Sequence, residues 1–277
     1  MGKKYKLTDE IIRIDGHILH RIQASKGFND VKKGELGGFI EKEENLSHEG
    51  TCWIYDNACV YENARVTDNA CVRTNAKIWG NAGIYDNANI RDLAEIYGSA
   101  IVWEQADVRD GAKVYQSANV HMNATIYENA NIFGQASVYG NAKVAGNAKI
   151  YENAKVYGNT YIAGHANIYG RSVISENSII KGHAEIYGDA EITGNAEIFG
   201  NTIILDKADY IVFKNFWSSG RYFTWTRLNN LWKVGCFLGT GKELIKKAYS
   251  DSEISGKEYE RVVKYVESIL ADEEKTT

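Results

Sequence analysis

Between Cys52 and Lys207 a Val or Ile recurs every six residues without a slip, and the residue two places before it is small. The aliphatic positions begin Ile54, Val60, Val66, Val72, Ile78 and continue in frame to Ile198 and Ile204. The small positions are nearly all Ala, from Ala58 to Ala196, with Cys52, Thr160, Ser172, Ser178 and Thr202 as exceptions. Between these pairs lie turn residues such as Gly80-Asn81, Asp86-Asn87 and Gly146-Asn147, types that enter positive φ at low cost. Each hexad therefore predicts a short strand and a corner. A fixed period of six without helical spacing marks a parallel β-helix, in which every inward side chain lands on its equivalent one coil away.

The outward position after each aliphatic residue sets the number of sides. Sampled every eighteen residues it reads Tyr61, Trp79, Tyr97, Tyr115, Phe133, Tyr151, Tyr169 and Tyr187. Side chains stacked across neighbouring strands should agree in kind, so three hexads make one coil. The second face reads Tyr55, Arg73, Arg91, Arg109, Tyr127, Ala145, Ala163, Lys181, and the third Thr67, Tyr85, Trp103, His121, Tyr139, Tyr157, Ser175, Thr193. The expected fold is mainly β: a three-sided parallel β-helix over residues 52–208, of about 8.5 coils with 18 residues each. At ~4.8 Å per stacked strand the rod would be about 40 Å long.

Both ends break the period. Residues 1–51 hold a hairpin pattern, Ile11 to Ile14 and His17 to Ile22 around Asp15-Gly16, a dipeptide that favours a type I′ turn. They predict a β cap over the first coil, with Leu46 in the frame of the small residues. Residues 209–277 predict an α+β module: a strand over Asp209 to Trp217, then a hairpin of Tyr222 to Leu228 and Leu231 to Phe237 turning at Asn229-Asn230, then two helices. Thr240-Gly-Lys-Glu243 and Ser255-Gly-Lys-Glu258 both fit the capping box that opens a helix. The second helix places Tyr259, Val262, Val263, Val266, Ile269 and Leu270 on one side.

The entry Asn29-Asp-Val-Lys-Lys-Gly-Glu-Leu-Gly-Gly-Phe-Ile40, the step Asn45-Leu-Ser-His-Glu-Gly50, the hexads and Gly235-Cys-Phe-Leu-Gly-Thr240 before a helix resemble the YdcK-like hexapeptide-repeat proteins of bacteria and their prophages. That resemblance covers nearly the whole chain and implies a left-handed coil. It implies prophage company and brings no established reaction. Relatives among hexapeptide-repeat proteins include trimeric acyltransferases and zinc enzymes with a His on the rod.

Charge narrows the partners. The formal net charge is −4, divided as 0 over residues 1–51, −5 over 52–208 and +1 over the rest. No basic field is present to neutralise a nucleic acid duplex. The cysteines Cys52, Cys59, Cys71 and Cys236 show neither metal-ligand spacing nor a disulfide framework. No cofactor motif is present, and no apolar run suits a signal or a membrane span, so a cytoplasmic location is expected.

Three groups could carry chemistry. His121 on the third face is the candidate base of an acyl transfer, without an identifiable acid partner. His165 and His183, eighteen residues apart, stack at one corner and could give two metal ligands, although Asn147 and Asn201 stand at the equivalent corners. Arg73, Arg91 and Arg109 form a ladder that must be neutralised, by Asp92, Asp107 and Asp110 or by a bound anion. The aromatic stripe from Tyr61 to Tyr187 is the most specific surface feature: an oligomer interface, a bed for the C-terminal module, or a platform for a sugar or base. The sequence thus favours a non-enzymatic scaffold that binds a host protein or small ligand from a phage-encoded gene. A trimeric acyltransferase and a structural virion or surface component are the alternatives.

Overall fold

A computed structural model describes residues 2–215 and 220–276, the last three of these by backbone alone. Between Trp53 and Ile204 it contains twenty-six two-residue strands in three parallel sheets. Pairing runs at a constant offset of eighteen, as in Asn89 with Asp107, Glu95 with Lys113 and Ile101 with Asn119, one pair from each sheet. The rod therefore has three hexads per coil and close to nine turns. Its aliphatic and small positions are buried from end to end and form one continuous core.

Corners solve a backbone problem twice over. The first corner residue has positive φ at every coil, for example Glu62 at 54°, Glu104 at 57° and Gly146 at 69°. At Gly146 a Cβ would stand 2.7 Å from the Gly164 nitrogen of the next coil, so at this corner the backbone would have to shift to admit a side chain. At nearly every acidic corner the carboxylate accepts the amide one coil on. Glu62 takes Gly80 N at 2.9 Å, Glu104 takes Met122 N at 2.7 Å and Glu128 takes Gly146 N at 2.6 Å. The second corner residue adds an amide ladder, Asn123 to Asn141 to Asn159 to Asn177.

Coil amides donate to carbonyls of the following coil, as Lys113 N does to Ala130 O at 2.9 Å. The first coil's carbonyls and the last coil's amides would therefore be orphaned, and each buried orphan is costly. The cap supplies donors nearly one by one. Lys4 Nζ donates to Cys52 O at 2.9 Å, Arg21 to Asp56 O at 2.9 Å, Phe39 N to Ala58 O at 2.9 Å and Glu41 N to Val60 O at 3.2 Å. Asn45 Nδ2 serves both Glu62 O and Ala64 O, and Ser47 N serves Val66 O. Tyr5, Phe28 and Trp53 plug the opening with edge-on ring contacts.

The cap strands are β1 (Tyr5–Ile14), β2 (His17–Ala24) and β3 (Leu36–Ile40). Asp15 and Gly16 both have positive φ, at 50° and 89°, as a type I′ turn requires. β3 runs parallel to the rod strand Cys59–Val60, so β1 and β2 extend the sheet that carries the aromatic stripe. One expectation fails here. Leu46 pairs with Val66 and not with Ala64, placing it in the aliphatic frame. The entry runs at an offset of twenty, as Ile40 with Val60 also shows, and the step between Leu46 and Trp53 absorbs the two extra residues.

The C-terminal module is a four-stranded antiparallel sheet, Tyr210–Lys214, Tyr222–Thr226, Leu231–Val234 and Phe237–Gly239, followed by α1 (Gly241–Asp251) and α2 (Glu253–Thr276). Phe216 and Trp217 of the expected first strand lie outside the described residues. The turn between the second and third strands includes Asn229-Asn230, and both strands are shorter than expected. Thr240 and Glu243 form the expected capping box at α1. At α2 the expected box is displaced. Ser252 caps instead, its hydroxyl accepting from Ser255 N at 3.0 Å, because a single residue separates the helices and Ser255 already lies in the first turn. Tyr259, Val263 and Val266 of α2 close on Phe223, Trp225 and Trp232.

Candidate functional site

The aromatic stripe is a column of rings in near-parallel contact. From Trp79 to Tyr187 neighbouring centroids lie 4.4 to 4.9 Å apart, with interplanar angles of 8° or less. Such stacking occupies both faces of every inner ring, so no planar ligand can lie on them. Only ring edges and hydroxyls face outward, beside Lys77, Glu95, Lys113, Asn131, Lys149 and Asn167. Lys113 pairs with Glu95 at 2.6 Å. Burial raises the pKa of Tyr97, Tyr115 and Tyr169, and pushes Tyr151 up to about 12. These phenols are therefore neutral hydrogen-bond donors at any physiological pH.

The foot of the column is already occupied. Tyr61 is 3% exposed and packs with Leu19 of the hairpin and Phe39 of β3, with Ile12, Ile14 and Trp79 at the margin. His17 stands beside Tyr61 at 5.4 Å, its Nδ1 2.9 Å from Glu41. The open column therefore begins at Trp79. The C-terminal module does not lie on it. It docks across the last coil, where Tyr210 Oη accepts from Thr193 N at 3.2 Å, Thr224 Oγ1 accepts from Glu197 N at 2.9 Å, and Lys233 pairs with Glu197 at 3.2 Å. Of the three roles expected for the stripe, the bed for that module is therefore ruled out, and the stacking platform is closed by the ring faces themselves.

The third face carries a second, shorter column, Trp103, His121, Tyr139 and Tyr157, with centroids 4.7 to 4.9 Å apart. His121 is thus held rigidly between two rings. Contrary to the sequence expectation, an acid lies near it: Glu104 Oε2 is 3.6 Å from Nδ1. That separation is electrostatic contact and too long for a hydrogen bond, and Glu104 already accepts from Met122 N. Glu104 stands seventeen residues before His121, next to Trp103 on the neighbouring coil, so the eighteen-residue arithmetic contained the signal.

The remaining candidates do not converge on either column. Arg73 lies over the Tyr55 ring at 4.0 Å. Arg91 pairs with Asp107 at 3.1 Å and Asp92 at 3.5 Å, and Arg109 stands 3.4 Å from Asp107 and over Tyr127. His165 and His183 stack at 4.8 Å, both exposed. Among the described residues no three His, Cys, Asp or Glu side chains gather in a geometry that could hold a metal ion. The four cysteines are free thiols.

Over 87 residues the chain is 36% identical to a protein of Escherichia coli (strain K12) named Uncharacterized acetyltransferase YdcK. The match covers 28% of this chain and 27% of that protein, so the chain spans only about a quarter of the relative's length. A parallel solenoid of close to nine turns, with eighteen residues per coil, agrees with the match. The chain fits the YdcK-like hexapeptide-repeat proteins. No family model matches it. In this YdcK-like rod no helix is long and apolar enough to cross a membrane among the described residues.

Proposed function

We propose that the protein is a phage-encoded, rigid binding scaffold whose open aromatic column from Trp79 to Tyr187 meets the flat surface of a host protein. The observation that carries this reading is the column itself: seven rings in register on a flat face, their stacking faces closed and their edges available. Interfaces are enriched in Tyr and Trp, whose rings contribute contact area at little conformational cost. The test compares proteins retained from the host by the wild type, by a Tyr115→Lys/Tyr151→Lys variant and by Tyr157→Lys on the third face. A species lost only with the first variant supports the reading; identical retention by all three overturns it.

Acyl transfer is a second reading with comparable support, favoured by the printed name of the E. coli relative and by Glu104 beside His121. In it His121, oriented by the Trp103 and Tyr139 rings and biased by Glu104, takes a proton from the acceptor. Its test is an acetyl-transfer assay of the wild type against His121→Ala; equal rates in the two would remove His121 from any such role.

A further inference from the structure

At the corner between the aromatic and third faces, beside the short turn Glu43–Asn45, lies a cavity of about 410 Å³. Its walls include Lys42, Glu44, Arg65, Asn81 and Tyr85. Neither ring column reaches it, and the cap rather than the rod alone completes it. The volume falls within the range of small-ligand sites.

Its construction departs from the repeat at one residue. Gly83 is the only glycine among the hexads at the place before the aliphatic residue. A Cβ there would stand 2.2 Å from Tyr85 Oη and 2.4 Å from Tyr85 Cζ, so the end of the Tyr85 ring lies across the bare backbone. Tyr85 accordingly leaves the third-face column, whose stacked contacts start at Trp103. It becomes part of the cavity wall instead. Unlike the rings of the columns, it has no other ring stacked on it among the described residues.

Two cations face the same space. Arg65 is exposed and has no hydrogen-bond or ion-pair partner among the described residues. Lys42 donates to Asn63 Oδ1 at 2.9 Å and retains two further protons. Against them stands one carboxylate, Glu44, exposed on the rim. The balance is positive, with Glu44 as the single carboxylate, suited to an amino substituent. Arginine binds phosphate oxygens in a fixed fork, and a ring laid on an aromatic side chain gains stacking energy with little regard for its identity.

We propose that this cavity binds a small planar aromatic anion of nucleoside monophosphate size, its ring on Tyr85 and its anionic group held by Arg65 and Lys42. The site is distinct from the aromatic column, so its failure would leave the scaffold reading where it stands. Gly83 is what makes room for it, by letting Tyr85 lie down.

Calorimetric titration of the intact chain with adenosine monophosphate, adenosine and inorganic phosphate tests the assignment. Saturable binding of the monophosphate is expected, with adenosine and phosphate each weaker by about tenfold or more. Arg65→Gln should weaken the monophosphate by about tenfold while leaving adenosine unchanged. Tyr85→Leu should weaken both. Each variant changes a side chain outside the core, and an unchanged far-ultraviolet spectrum verifies folding. No saturable monophosphate binding, phosphate binding as tightly as the monophosphate, or full affinity in both variants would overturn the proposal.

Discussion

A side chain in the left-handed region is strained unless something local offsets it, and Glu128 shows how this rod does so. Its φ is 57°, and its carboxylate accepts Gly146 N at 2.6 Å. Glu128→Ala keeps the strain and loses the bond, and should lower unfolding free energy by ~1–2 kcal/mol in urea. Glu128→Gly loses the bond but also the strain, so its midpoint should fall less. At His17 the readout is pH. The hydrogen bond to Glu41 raises its pKa first of all, with help from the charges of Glu41 and Glu62. The raised value means that protonated His17 favours the docked hairpin. That contribution is full below the ordinary imidazole value of ~6.5 and is lost as pH rises through the higher folded value. The melting difference between wild type and His17→Gln should therefore shrink as pH rises through that window. Corner chemistry was legible in Gly, Asp and Asn dipeptides. The acceptor ladder was not, because it joins residues of successive coils.

Elements at the two ends are matched to the open backbone they meet. The cap brings donors to carbonyls, the C-terminal module brings acceptors to amides, and neither could exchange places with the other. Thr224 Oγ1 is one such acceptor, for Glu197 N. Thr224→Val preserves shape and removes it, and hydrogen exchange at the Glu197 amide should accelerate by about fivefold or more while the Lys113 amide is unaffected. Unchanged protection at Glu197 would show that the module docks without this bond. The strands, the Asp15-Gly16 turn and the α1 box could be read from local pattern alone. The contacts of Leu19 with Tyr61 and of Lys233 with Glu197 could not, since nothing in either segment encodes which coil it will meet. Ser252 outcompeted Ser255 for a similar reason: two good caps three residues apart are separated only by where the preceding helix stops.

Across the whole molecule, position along the rod and choice of face are set by one number, the eighteen-residue offset. Deleting residues 131–148 removes one coil in register, joins Ala130 to Lys149, and should leave both ring columns continuous at a slightly lower melting temperature. Deleting residues 131–136 keeps every hexad yet turns all later coils by one face, setting Tyr139 over Tyr115. Near-ultraviolet circular dichroism should then change strongly, although the far-ultraviolet signal persists. The coil count and the first column were legible because identical residues recur at that spacing; Gly83, a single departure, carries its meaning only once Tyr85 is seen to lie over it. The long column also makes the rod a conduit for light. Tyr97 and Tyr115 adjoin Trp79 in unbroken contact, so energy absorbed by these phenols drains to the indole and leaves as indole emission. Phe133, whose excited state lies too high to accept from tyrosine, stands between that lower segment and Tyr151, Tyr169 and Tyr187. The upper segment reaches that indole only across the gap, so in a variant that keeps Trp79 as its one indole the ratio of tyrosine to indole emission reports, without any label, whether the coils between remain stacked.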